Sequence, residues 1–106
     1  MEDNPDLRRL LWYLLGATRG GEMRARLLNQ LWSQPGNINQ LSKRLGVEYR
    51  TVQHHMIVLK KNSLVDSMGD PYGLTYFVHP WLDAHKPIFD DLCQKLRFRL
   101  DVPENL

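Results

Sequence analysis

The segment from Asn37 to Val78 constrains the fold more than any other, because its hydrophobic period changes from helical to alternating part-way along. Up to Lys61, inward-facing residues recur at spacings of three and four: Ile38, Leu41 and Leu45, then Val52, His55, Met56 and Leu59. Asn37 followed three residues later by Gln40 is the pattern of a capping box, and Gly46 supplies the left-handed residue that ends a helix. A short helix opening at Asn37 and a longer one over Tyr49 to Lys61 are therefore expected, joined by a tight turn. From Leu64 the period is two. LVDSM and LTYFV read as strands around a turn containing Gly69, Asp70, Pro71 and Gly73, with Leu74, Tyr76 and Val78 on one face and Thr75 and Phe77 on the other.

Two helices joined in this way form a helix-turn-helix, and a hairpin directly after it is the wing of a winged helix. The flanks read as helical. Asn4-Pro5 is an N-cap followed by proline at the first helical position, opening a helix from Pro5 to about Ala17. Its Leu7, Leu10, Leu11 and Leu14 form one stripe, which Trp12, Tyr13 and Leu15 widen. TRGG at Thr18 to Gly21 breaks it, and a second helix runs from Gly21 or Glu22 to Ser33, stopped by Pro35-Gly36. His79-Pro80 ends the hairpin. A last helix over Trp81 to Arg99, restarting at Pro87, carries Ile88, Phe89, Leu92, Leu96 and Leu100. The expected fold is mainly α with a small β-hairpin, one domain over residues 1–106: N-terminal helix 5–17, winged-helix core 19–80, C-terminal helix 81–100.

Charge is unevenly placed. From Arg19 to Lys61, Arg19, Arg24, Arg26, Lys43, Arg44, Arg50, Lys60 and Lys61 face only Glu22 and Glu48, a net +6 within a chain of net +2. A basic block between acidic flanks fits a polyanion partner, here double-stranded DNA. Cys93 is the only cysteine, so no disulfide framework or thiolate metal cluster is expected, and a reducing, cytoplasmic location is. The most apolar run, Leu7 to Ala17, contains two arginines and is shorter than the roughly 20 residues of a membrane span. It lacks a signal-peptide pattern, and no membrane association is expected.

RGGEMRARLLNQL, PGNINQLSKRLGVEYRTVQHHMIVLKKNSLV and GDPYGLTYFVHP together resemble the ArsR-like winged-helix regulators, most closely small archaeal members with a YRTVxHHxxVLxxN helix and a YG turn in the wing. The resemblance covers Arg19 to Pro80. It implies a DNA-binding transcription regulator, normally a homodimer, whose helix 49–61 enters the major groove. The sequence departs from the metal-sensing branch, since only Asp83 and His85 echo its ligand sets and a zinc site wants about four ligands. No metal and no cofactor are expected, and the sequence leaves any small-molecule effector open. The wing also departs from the usual pattern, carrying Asp66 and Asp70 and no basic residue.

Adjacent helical residues point about 100° apart, so His54 and His55 cannot converge on one ion or proton. His55 belongs with the core residues, His54 with the polar face. There Arg50 suits guanine, Gln53 suits adenine, and Thr51 suits a thymine methyl or a phosphate. Phosphate contacts are expected from Tyr49, Lys60 and Lys61, from Asn39 and Gln40 at the preceding helix start, and from Arg19, extended by Arg24 and Arg26. Tyr72 and Gly73 are the wing's candidates. Leu7, Leu10, Leu11 and Leu14 with Ile88, Phe89, Leu92 and Leu96 are expected to form a dimer interface, because the terminal helices carry more apolar surface than a small core absorbs. The competing reading is a winged helix used for protein assembly, which the acidic wing favours and the basic block opposes. Catalysis is not expected, since no nucleophile has a base and orienting acid at recognisable positions, and Cys93 lies in an apolar stripe.

Overall fold

The computed structural model describes residues 3–70 and 72–101, so Pro71 of the expected hairpin turn lies outside the described residues. Helix α1 (Pro5–Leu11) begins where Asn4 accepts the Leu7 N–H at 3.1 Å through its side-chain oxygen. The helical path continues to Ala17, as the sequence implies, but over Trp12–Ala17 it widens into a π-helix. Its i→i+5 bonds bring consecutive residues closer in angle, so Trp12 and Tyr13 both face out while Leu14 and Leu15 are both buried.

Helix α2 (Gly21–Ser33) follows the TRGG turn. Helices α3 (Ile38–Leu45) and α4 (Tyr49–Lys61) have the expected limits. Asn37 and Gln40 close a capping box, with bonds of 2.9 and 2.8 Å in the two directions, and Gly46 ends α3 at φ 65°. Strands β1 (Val65–Met68) and β2 (Thr75–Val78) pair antiparallel with Val65 opposite Val78 and Met68 opposite Thr75. Gly36 adds a one-residue bridge to Tyr76, its N–H donating at 3.2 Å and its carbonyl accepting at 2.8 Å, which ties the segment before α3 to the wing.

The last helix is not continuous. Pro80–Asp83 forms a short α5, capped by His79 accepting the Trp81 N–H, and α6 covers Lys86–Leu96. The restart near Pro87 is met, whereas the end falls short of Arg99 because Arg97 turns into the left-handed region at φ 60°.

The core runs through every element and takes in most of the leucine stripe expected at a dimer interface. Leu7, Leu11, Leu14, Ile88, Phe89 and Leu92 are all buried within the single chain, and Leu10 and Leu96 are partly buried against the same core. The two terminal helices cover each other and α2. Arg8 bonds Asp91 at 2.9 Å, Trp32 donates to Asp83 at 2.8 Å, and the Trp32 and Phe89 rings meet at 4.7 Å. Cys93 is buried in this layer, which pushes its thiol up to about 12. No helix among the described residues is long and apolar enough to cross a membrane.

Candidate nucleic-acid interface

Helix α4 presents two chemically distinct faces. Val52, His55, Met56 and Leu59 are buried, while Tyr49, Arg50, Thr51, Gln53, His54, Ile57, Lys60 and Lys61 are exposed. The outer face is available for a partner, because the Arg50, Thr51, Gln53 and Lys61 side chains make no hydrogen bond or ion pair with other described residues. The His54 ring lies 5.6 Å from the His55 ring between centroids. The separation of the two histidines expected from helical spacing is thus present in the structure.

Ile57 is the residue that reading for polar groups missed. It is 60% exposed and lies one and two turns beyond Gln53 and Arg50, in the middle of the polar face. Its side chain adds an apolar spot to an otherwise polar surface. The sequence held the signal: an apolar residue seven after Arg50, outside the buried spacing.

Beside α4, a cleft of about 300 Å³ is lined by Asn37, Asn39, Tyr49, Gln53, Tyr72 and Gly73 among others. It brings the α3 start, the α4 start and the wing turn together, joining five of the candidate phosphate and base contacts. Gln40 flanks it, but its side-chain oxygen is occupied by the capping box. Tyr72 is 99% exposed. The wing's carboxylates serve its own backbone, Asp66 accepting from the Ser67 N–H and Asp70 from the Tyr72 N–H, so they shape the hairpin.

The remaining cations divide. Arg19 and Lys61 share a groove of about 470 Å³ between the π-helical segment and the end of α4. Lys60 reaches back to the Ser67 hydroxyl at 2.7 Å, bracing the wing against α4. Arg24 does not extend a phosphate track: it is 4% exposed and bonded to the Leu14 carbonyl, the Thr18 hydroxyl and the Arg19 carbonyl. Arg26, about 200° further round α2, donates to the Arg99 carbonyl at 3.1 Å and lies near Glu22, facing the C-terminal segment.

His55 is 6% exposed, with Nδ1 3.3 Å from the Arg24 guanidinium. Its pKa falls to about 4, first because burial disfavours the charged ring, then through the positive charge of Arg24 and the neighbouring His54. The guanidinium only donates, so Nδ1 accepts and the proton sits on Nε2. His85 is likewise committed, its Nδ1 lying 2.8 Å from the Trp81 carbonyl. Among the described residues no three His, Cys, Asp or Glu side chains converge as metal ligands would.

No family model matches the sequence, and no curated protein shows significant similarity to it. Solved structures do resemble it. The PcaV transcriptional regulator of Streptomyces coelicolor superposes with a TM-score of 0.61 at 18% identity, over 88% of this chain and 69% of that one. The homodimeric winged helix-turn-helix DNA-binding domain of a possible ArsR-family regulator from Mycobacterium bovis gives 0.61 at 15% identity, over 92% and 87%. Reduced YodB of B. subtilis, also a transcriptional regulator, gives 0.65 at 12% identity, over 88% and 90%. The fold is therefore the winged helix-turn-helix found in transcription regulators.

Proposed function

We propose that this protein is a homodimeric, sequence-specific DNA-binding transcription regulator in which α4 reads the major groove. The observation that carries the reading is the outer face of α4: Arg50, Gln53, His54 and Ile57 exposed on one side of a rigid helix, within a segment of net +6. Arg50 would hold guanine through its two-pronged guanidinium, Gln53 adenine, and Ile57 a thymine methyl. Lys61, Arg19, Tyr49, Asn39 and the wing residues Tyr72 and Gly73 would hold the phosphates that flank those bases. The finer placement among ArsR-like regulators, next to small archaeal members, and a cytoplasmic location belong to the same proposal. They rest on the YRTVQHHMIVLKKN helix and the YG turn.

The dimer surface differs from the leucine stripe. Trp12 and Tyr13 are 49% and 58% exposed on the π-helical segment; Trp12 lines a groove of about 420 Å³ with Pro5, Arg8, Leu92 and Lys95, while Tyr13 lies toward the groove that holds Arg19 and Lys61. Pairing through this surface would present two copies of α4 to half-sites about 34 to 36 Å apart.

Selection from a random duplex pool, followed by titration at several salt concentrations, tests the reading. The expected result is a paired motif bound more weakly as salt rises, with Arg50→Ala and Gln53→Ala each costing about 1–3 kcal/mol at the base it reads. Unchanged affinity and preference in both variants would rule out this surface. Absence of binding at micromolar protein and low salt would favour a protein-assembly role.

A further inference from the structure

Arg24 is the point at which three elements meet. Its Nε donates to the Leu14 carbonyl at 2.9 Å, on the π-helical segment. One terminal nitrogen donates to the Thr18 hydroxyl and, at 3.1 Å, to the Arg19 carbonyl, both in the turn before α2. The other faces His55 Nδ1 at 3.3 Å, on the inner side of α4. The surroundings leave no slack. Gly20 sits at φ 84°, where an added Cβ would stand 2.8 Å from His55 Cε1, and a Cβ on Gly21 would meet the Leu15 carbonyl oxygen at 1.9 Å.

Stability alone is a poor reason for this arrangement. The hydrogen bonds of the guanidinium go to neutral oxygens and an imidazole nitrogen, and a buried charge without an ionic partner generally costs more than an apolar side chain of equal volume. What a guanidinium supplies and a leucine does not is direction, because its donors lie in one rigid plane. Two backbone carbonyls, and α4 through the His55 ring, are thus tied to one plane, which limits how the three elements can turn against one another.

We infer that Arg24 is a positioning residue: it sets the angle between the π-helical segment, with its exposed Trp12 and Tyr13, and α4, and thereby the spacing at which a dimer accepts two half-sites. This rests on the dimeric reading above. A rotation of about 10° on a lever of roughly 17 Å, half the usual half-site separation, displaces α4 by about 3 Å. That is close to the 3.4 Å rise of one base pair, and a twofold axis doubles it.

The test is a selection from duplexes carrying two half-sites separated by gaps of varied length, using wild type, Arg24→Lys and Thr18→Val, each checked for folding by circular dichroism. Thr18→Val removes one of the bonds to Arg24 and keeps the experiment decisive where Arg24→Lys does not fold. The base preference within a half-site stays as in wild type. Discrimination between the preferred gap and one a base pair longer falls about tenfold, the order expected when a hydrogen bond to a charged group is lost. An unchanged gap preference in folded variants overturns the inference alone, as does an equal loss of affinity at every gap, which marks a purely structural role. A wild type that enriches single, unpaired sites removes the dimeric reading and this inference with it.

Discussion

Acid should destabilise this protein through His55. The buried ring has a pKa of about 4 against 6.5 for a free histidine, so the folded state binds fewer protons than the unfolded state between those values. The stabilisation is complete above about 6.5, declines as pH falls, and is exhausted near 4. At pH 5 the unfolded ring is roughly 97% protonated and the folded ring roughly 10%, which lowers stability by about 2 kcal/mol relative to pH 7, approaching 3 kcal/mol below pH 4. Urea unfolding followed by circular dichroism at fixed protein concentration, from pH 7 to pH 5, measures this directly. His55→Asn is the informative comparison, because its side-chain oxygen can take the place of Nδ1 and accept from Arg24 without titrating. Wild type should lose about 2 kcal/mol more than the variant over that range. If the two lose stability in parallel, burial and the Arg24 contact do not hold the ring neutral, and the account of this site is wrong.

Three other outcomes follow from the burial pattern. Ile57→Ala should leave stability within about 0.5 kcal/mol of wild type, as for an exposed position, while weakening the selected thymine preference; an equal effect on all bases would sink the methyl contact. Phe89→Ala should cost about 3–5 kcal/mol in denaturant unfolding, since the ring is fully enclosed by the single chain. Trp12→Glu should shift the protein toward monomer in sedimentation analysis and weaken paired-site binding, with half-site base preference retained; an unchanged assembly state would exclude that surface.

Much of the helix-turn-helix and wing was legible in the sequence because local rules fix it. The capping residues Asn37 and Gln40, the left-handed Gly46 and the period change at Leu64 act over a few residues, and each met its expected place. The leucine stripes say less, for a physical reason. A spacing of three and four says that Leu7, Leu11 and Leu14 are covered, and is silent on whether α6 or a second molecule covers them. The off-stripe aromatics Trp12 and Tyr13 stay exposed, since the π turn carries both outward. Arg24 was counted with the surface cations because composition records charge and not burial. Only the folded chain reveals that it meets Leu14, Thr18, Arg19 and His55 at once.

The π-helical segment has a genetic consequence. Its widened turn over Trp12–Ala17 accommodates one residue more than an α-helix would need for the same path. Deleting a single codon there would restore α geometry and leave α1 in register with its core contacts. The side chains over Trp12–Ala17 would redistribute around the narrower turn while α1, α2, α3, α4 and the wing kept their places. A three-nucleotide deletion is thus a short mutational path to a different surface on the same winged helix-turn-helix.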